Sequence, residues 1–243
     1  VLANQRVAGS GSPVLTVADT ATAGVFSEDL NASFGASTGN ATSTGAISGR
    51  LAGTNNTGTG GMSVGVNTSV AGARSGTVTL NYQTAGAVGG VSNGLGVADV
   101  GSQVINVSGN VYQAAAGQIV TAPLNFGTVQ VGQLVSQNLV IRNTATGASG
   151  FVEDLNASFG TAGDARISGV GALNGVLAGS NSTAANGTMT VSVNTSAAGS
   201  INSSIGVNFA SAGAVNGVSN GLGVLGVGSE NYGVSGTIQA NVI

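Results

Sequence analysis

The chain of 243 residues contains no Cys, His or Trp, and its five basic residues are all Arg. A Ser-His-Asp or Cys-His catalytic site needs His, a Schiff base needs Lys, and nearly every zinc site needs Cys or His. Five scattered Arg residues cannot form a surface that follows phosphates, which disfavours nucleic acid as a partner. We therefore expect a protein that is not an enzyme and that holds no cofactor.

Two further absences concern the location of the protein. Without Cys there is no disulfide framework. The apolar runs are only a few residues long, far below the roughly 18 residues of a membrane-spanning helix, so no transmembrane segment is predicted. The chain begins Val-Leu-Ala-Asn, and we expect a processed chain or an excised segment whose signal peptide has been removed. The lack of Cys neither supports nor excludes export, but the composition favours a secreted protein, extracellular or on the cell surface.

The sequence repeats itself once, with an offset of about 125 residues. This period suits two complete domains rather than solenoid repeats of roughly 20–50 residues. We place one domain at residues 1–116 and its second copy at residues 117–243. Copy two opens with residues 119–126, which resemble a strand, and copy one has no counterpart of it. The matching segments are 20–22 with 144–146, 28–35 with 153–160, 51–53 with 177–179, 66–69 with 193–196, 90–97 with 217–224 and 107–109 with 234–236.

Apolar and polar residues alternate with a period of two, which indicates half-buried antiparallel strands. Gly, Asn, Ser and Thr fill the gaps, and five Asn-Gly pairs are typical of tight hairpin turns. No segment has the pattern of a capped amphipathic helix. The prediction is an all-β protein of two tandem immunoglobulin-like antiparallel β-sandwiches, the first of which lacks its first strand. The alternating apolar sets are Val78 and Leu80; Leu139 and Ile141; Met189, Val191 and Val193; and Ile205, Val207 and Phe209.

The few large apolar residues are expected to form the two cores, because Val and Ala bury little area. They are Leu30, Phe34, Phe126, Leu155, Phe159, Leu177 and Phe209.

Copy two also resembles a known family. Phe126-Gly-Thr-Val-Gln-Val-Gly132, followed by Ser136-Gln-Asn-Leu-Val-Ile-Arg-Asn-Thr144, is similar to the opening of Hydin-type (ASH-like) domains and of the choice-of-anchor D segments of bacterial surface proteins. The second half of the family pattern is also present in copy two, as Leu177-Ala-Gly179 and the strand-like segment that follows it. Copy one has the same pattern, as Leu51-Ala-Gly53 and the strand-like segment that follows it. Copy one lacks the Phe-Gly-x-Val opening, and both copies carry a Gly-rich insert, at 85–101 and 212–228. The resemblance implies an immunoglobulin-like sandwich used for display, adhesion or assembly, and no catalytic residues.

Two motifs imitate catalytic or cofactor sites. Residues 90–94 and 217–221 both spell Gly-Val-Ser-Asn-Gly, the nucleophile-elbow pattern, but that elbow requires a following helix and a His partner. Residues 221–226 spell a dinucleotide fingerprint without the helix that must follow. We attribute both motifs to the high Gly content.

The paired acids Glu28-Asp29 and Glu153-Asp154 recur once per copy and are the candidate metal ligands. One interpretation is a hard-cation site completed by Asn or backbone oxygens; two carboxylates are few for Ca²⁺. The interpretation we favour is a solvated strand start whose acids bond to Arg or backbone N–H groups.

Ten Asn-x-Ser/Thr sequons are possible glycan acceptors, although the composition alone would produce many of them. They are Asn31, Asn40, Asn55, Asn67, Asn106, Asn156, Asn181, Asn186, Asn194 and Asn202.

Charged residues make up 5% of the chain, which leaves a surface of Gly, Ala, Ser, Thr and Asn. Soluble monomers use charge to stay dispersed and to guard sheet edges, whereas interfaces are depleted in it. We therefore expect a structural subunit of a filament, sheath or matrix, whose partner is itself or a neighbouring surface protein. Strand addition between neighbours, from near residues 119–126 or from the tail 234–243, could complete copy one.

Two other functions stay open. One is a tandem immunoglobulin-like stalk segment of a larger bacterial surface adhesin. The other is a carbohydrate-binding module, for which Tyr82, Tyr112 and Tyr232 are the candidate contact residues.

Overall fold

A computed structural model describes residues 1–56 and 61–241. The chain divides into unit 1, Val1–Val111, and unit 2, Tyr112–Ile243, and each unit is an immunoglobulin-like β-sandwich. The division lies a few residues before the one placed by the repeat. Residues that follow Tyr112 bond to unit 2: Gln113 N donates to Phe151 O at 2.8 Å, and Ala115 N donates to Ser211 Oγ at 2.9 Å.

Unit 1 is built on one large sheet with the strand order β1-β9-β6-β2-β4, which faces the small β3-β5 sheet. The β7-β8 hairpin is the first half of the Gly-rich insert. The strands are β1 Gln5–Arg6, β2 Leu30–Gly39, β3 Ala41–Thr44, β4 Ala46–Arg50, β5 Ser63–Val66, β6 Gly72–Thr84, β7 Ala87–Val88, β8 Val91–Ser92 and β9 Asp99–Tyr112.

Unit 2 repeats this arrangement with more strands. Its large sheet has the order β11-β21-β18-β14-β16, and it faces a three-stranded β12-β17-β15 sheet and a β10-β13 pair. The strands are β10 Gly117–Ile119, β11 Leu124–Gln130, β12 Val135–Leu139, β13 Ile141–Asn143, β14 Leu155–Ala162, β15 Ile167–Val170, β16 Ala172–Val176, β17 Met189–Val193, β18 Gly199–Ser211, β19 Ala214–Val215, β20 Val218–Ser219 and β21 Leu225–Gln239, with one 3₁₀ turn at Ala184–Asn186.

The two units differ at the start of the chain. Strand β11, seven residues long, pairs in parallel with β21, whereas its counterpart β1 has two residues beside β9. The β12-β17 ladder of unit 2 is reduced in unit 1 to an isolated bridge, Val14 with Ser63. Within the described residues, unit 1 has no counterpart of β10.

The cores differ accordingly. In the described part of unit 2, nineteen buried apolar residues form one continuous cluster that includes Leu155, Val207 and Tyr232. The described part of unit 1 has two separate clusters of five buried residues each, around Leu80 and Val78.

The predicted alternation is confirmed: β17 buries Met189, Val191 and Val193 and turns the residues between them outward. The prediction of one strand over residues 119–126 is wrong. Pro123 has no N–H for a ladder, and the chain leaves the β10-β13 pair before it joins β21 as β11.

The predicted core residues are found in or against the cores, with one exception. Leu155 and Phe209 are buried, and Leu30, Phe34, Phe126 and Phe159 are partly buried against the clusters. Leu177 is 44% exposed, so its prediction as core is wrong. Val176, immediately before it, takes the inward position, and Leu177 lines a cavity beside the β19-β20 turn.

Candidate functional site

The acidic pairs lie directly before strand β2 in unit 1 and strand β14 in unit 2, and each Asp is bonded to the tip of the Gly-rich hairpin. The two Asp29 carboxylate oxygens accept the N–H groups of Gly89 at 3.1 Å and Gly90 at 2.7 Å. Asp154 accepts those of Asn216 at 3.1 Å and Gly217 at 2.8 Å in the same way. One contact pattern has therefore been kept in both copies.

The geometry of the turn explains this contact. Asn216 and Gly217 are the central residues of the β19-β20 turn, and their φ angles are 50° and 77°. Two successive residues in the left-handed region point their N–H groups to one side and create a small anion-binding concavity. The carboxylate of Asp154 is the anion that occupies it.

The neighbouring Glu residues differ between the units. Glu153 is fully buried, and it accepts a hydrogen bond from Asn220 Nδ2 at 2.6 Å and another from the Ser211 hydroxyl. Glu28 is partly exposed and accepts a hydrogen bond from the side-chain amide of Asn93.

The expected solvent exposure is wrong for three of the four acids, since Asp29, Glu153 and Asp154 are buried. The expected bonds to backbone N–H groups are present at Asp29 and Asp154. Their surroundings are hydrogen-bond donors, which suit a carboxylate and not a cation. In the described part of the chain, no group of three or more His, Cys, Asp or Glu side chains could hold a metal ion. These acids therefore fasten a hairpin to the sheet.

Asn143, at the end of β13, is a structural residue that the sequence did not single out. Its buried Nδ2 donates to Glu153 O at 3.0 Å and to Val176 O at 3.1 Å. Its Oδ1 accepts the N–H groups of Ala116 and Ala145, both at 3.2 Å. The only signal was the Asn-Thr dipeptide at the end of the family-like strand.

A cavity of about 640 Å³ lies beside the acidic pair of unit 1. Its walls come from the segment 18–21, from the start of β2 and from β6. The residues that line it include Ala18, Thr20, Glu28, Leu30, Tyr82, Thr84 and, from β9, Val100.

The three Tyr residues considered for sugar binding have different surroundings. Tyr232 is buried, with its hydroxyl 2.8 Å from Ala122 O and 3.0 Å from Gln137 Oε1. Tyr112 lies against Phe151, with ring centroids 5.5 Å apart. Tyr82 lines the unit 1 cavity, and burial raises the pKa of its hydroxyl and of the Tyr232 hydroxyl.

One ion pair lies on the surface of unit 2. Arg166 Nη2 is 2.7 Å from Asp164 Oδ2, and the Arg166 side chain and backbone N–H hold the pKa of Asp164 down to about 2. The same guanidinium donates to Ser200 O at 2.9 Å. Both residues of the ion pair lie in the loop that connects β14 to β15.

The motifs that imitate enzyme sites lie in hairpins. Ser92 and Ser219 end the two-residue strands β8 and β20, and each hydroxyl accepts a backbone N–H, from Gly94 and Gly221. The fingerprint-like segment 221–226 leads into strand β21.

Comparisons with known proteins give no family. No protein-family model matches the chain, and no curated protein matches it. The likeness to Hydin-type and choice-of-anchor D domains therefore stays a prediction, while the immunoglobulin-like β fold stands.

Solved structures resemble the chain only distantly. An endo-fucoidan hydrolase from glycoside hydrolase family 107 is 12% identical, with a TM-score of 0.28; the match covers 99% of this chain and 27% of that one. Domains 4 and 5 of the S-layer protein SbsC are 14% identical, with coverages of 82% and 70% and a TM-score of 0.24. Titin Ig tandem domains are 11% identical, with coverages of 98% and 92% and a TM-score of 0.22. At TM-scores this low, no function of these proteins transfers to this chain.

Among the described residues, no helix has the length and apolar character needed to cross a membrane.

Proposed function

We propose that this chain is an extracellular structural protein, the subunit of a filament, sheath or matrix held together by contacts between β-sandwich units. The observation that carries the proposal is the character of its exterior. Large apolar side chains are exposed on the surface, among them Phe26 at 95%, Leu95 at 81% and Leu134 at 100% exposure. Soluble surfaces usually intersperse such groups with charged residues of both signs, and charged residues make up only 5% of this chain.

Burial of acids makes the exterior poorer still in charge. Of the eight Asp and Glu residues, Asp19, Asp29, Glu153 and Asp154 are buried, which leaves four acids and five Arg residues for the rest of the molecule. Protein interfaces are similarly depleted in charged residues. A surface of small neutral residues allows sheets of neighbouring molecules to approach closely.

The test is the state of association of the purified chain. Light scattering over a wide range of concentrations should show growth in mass, and electron microscopy should show filaments or sheets. A variant carrying both Phe26→Lys and Leu134→Lys should associate less, because both side chains are exposed and the fold does not need them. A monomer at every concentration would overturn the proposal and favour the alternative, a tandem immunoglobulin-like stalk segment of a larger bacterial surface adhesin.

A further inference from the structure

The carboxylate of Glu153 brings a hydroxyl group and a carboxamide group together inside unit 2. The Ser211 hydroxyl donates to Oε2 of this carboxylate, and Asn220 Nδ2 donates to Oε1 at 2.6 Å. All three residues are buried, although they come from the segment before β14, the last residue of β18 and the residue after β20. A nucleophile, a base and an amide carbon therefore share one buried site.

Ser211 has the surroundings of an activated nucleophile. Its hydroxyl proton is directed at a carboxylate, which can accept that proton while the oxygen attacks a carbonyl carbon. The same oxygen accepts the N–H of Ala115 at 2.9 Å, which fixes its position at the end of β18. A base at hydrogen-bond distance from the hydroxyl is what nucleophilic catalysis requires.

The Asn220 side chain is held as an electrophile. Its Oδ1 accepts the N–H of Leu222 at 3.0 Å, so a backbone donor is already directed at the oxygen that becomes negative when Cγ is attacked. Its Nδ2, which is the leaving group, is bonded to the second oxygen of the Glu153 carboxylate. Glu153 can therefore take the proton from the attacking oxygen and return it to the departing nitrogen.

Unit 1 has the same residue types at the matching positions, but one contact differs. Glu28 accepts a hydrogen bond from the Asn93 amide, as Glu153 does from its Asn. The hydroxyl oxygen of Thr84, the counterpart of Ser211, accepts the N–H of Ala98 at 3.2 Å, and in the described part of the chain no hydrogen bond joins it to Glu28. Glu28 is also partly exposed. Unit 1 is therefore an internal control in which the base does not hold the nucleophile.

We propose that unit 2 forms an ester crosslink between its own Ser211 and Asn220 side chains, with Glu153 as the base. Ser211 Oγ bonds to Asn220 Cγ, the Cγ–Nδ2 bond breaks, and the NH₂ group leaves with the hydroxyl proton as ammonia. No other reactant is consumed, and Glu153 ends in the state in which it began. Burial keeps water away from the ester and so protects it from hydrolysis. The crosslink forms within one chain, so it does not depend on the proposed assembly.

The crosslink ties the Gly-rich hairpin covalently to the large sheet. Residues 211–220 become a closed ring that contains β19 and β20. Because the ring is short, it removes little entropy from the unfolded chain, and the gain in global stability is small. The larger effect is local, since the hairpin stays on the sheet when this edge of unit 2 opens.

The experiment is mass spectrometry of the full chain under denaturing conditions. The parent chain should be lighter than its sequence requires by the mass of one ammonia molecule, and not of two, because unit 1 lacks the contact between base and nucleophile. Elastase cuts after Ala and Val residues, which lie between the two positions, and it should leave the Ser211 and Asn220 peptides joined. Mild alkali should separate these peptides, because it hydrolyses esters.

Three variants identify the reacting groups. Ser211→Ala and Glu153→Gln should both keep the full mass of their sequences, and circular dichroism checks that they fold. Ser219→Ala is the matched control, because it removes a hydroxyl beside Asn220 that bonds only to the N–H of Gly221. This variant should lose ammonia as the parent does.

The sequence Asn220-Gly221 can also lose ammonia by closing a succinimide on its own backbone, and the same measurements separate the two reactions. A succinimide needs no Ser hydroxyl and joins no second peptide, so it persists in Ser211→Ala. A parent chain of full mass, separate Ser211 and Asn220 peptides, or an ammonia loss that persists in Ser211→Ala would overturn the inference. The joined peptides of the parent decide the question even where a variant does not fold.

Discussion

The buried acids show how individual residues act in a chain with so few charges. Asp29 and Asp154 satisfy two N–H groups each at the tips of hairpins that would otherwise be held by two-residue strands. The recurrence of the Glu-Asp pair in both copies was visible in the sequence. The structural role of the pair could not be predicted, because the N–H groups that each Asp binds lie about sixty residues later in the chain. The φ angles of the hairpin turn set the direction of these N–H groups.

At this scale we predict that Asp154→Asn destabilises unit 2 by about 1–3 kcal/mol. The amide keeps one acceptor oxygen and turns an NH₂ group toward a backbone donor, so a buried N–H loses its partner. Urea unfolding followed by circular dichroism measures the change.

The matched control is Asp164→Asn, a change of the same size at the surface. Its partner Arg166 stays solvated and keeps its bond to Ser200 O, so the loss should be much smaller. Equal losses at the two positions would contradict the role given to the hairpin contact.

At the scale of strands and sheets, several glycines allow aromatic rings to pack directly against the backbone. Gly117 lies under Phe209, Gly169 under Phe159 and Gly236 under Phe126, each with an added Cβ only 2.3–2.4 Å from a ring carbon. Three of the nine aromatic residues of the chain thus pack against the backbone of a glycine. Sequence periodicity predicted the strands but could not pair these rings with their glycines, because the two members of each pair lie in different strands.

We predict that Gly117→Ala destabilises unit 2 by about 1–3 kcal/mol, the usual cost of overpacking. The new methyl group would overlap the Phe209 ring and push β10 away from β13. Thermal unfolding and hydrogen exchange at Gln118 and Arg142 report the two effects.

Gly226→Ala serves as the control, since nothing lies within 4 Å of an added Cβ there and its φ is not in the left-handed region. This variant should melt within experimental error of the parent, or slightly higher, because Ala orders at lower entropic cost than Gly. A parent-like melting temperature for Gly117→Ala would mean that β10 is not held by the ring.

At the scale of the whole molecule, the sequence predicted two sandwiches from the repeat, and the structure has two. What the repeat could not predict is the inequality of their interiors. Unit 1 keeps the turn residues of unit 2 but places Arg50 where unit 2 has the buried Val176, and its core falls into two small clusters. Such differences arise from single substitutions within matching strands, which leave the period of two unchanged.

We therefore predict two unfolding transitions in calorimetry, with unit 1 melting first, because it buries less apolar area per residue ordered. The matched variants Val78→Ala and Val207→Ala, both at fully buried positions, should each lower one transition. A single transition that moves with both variants would contradict the assignment.

The placement of the acids in the interior has a consequence for the medium in which the protein can work. Forces between molecules that carry few outward charges change little when dissolved salt screens those charges. An assembly of this chain should therefore keep its cohesion in dilute water and in brine alike.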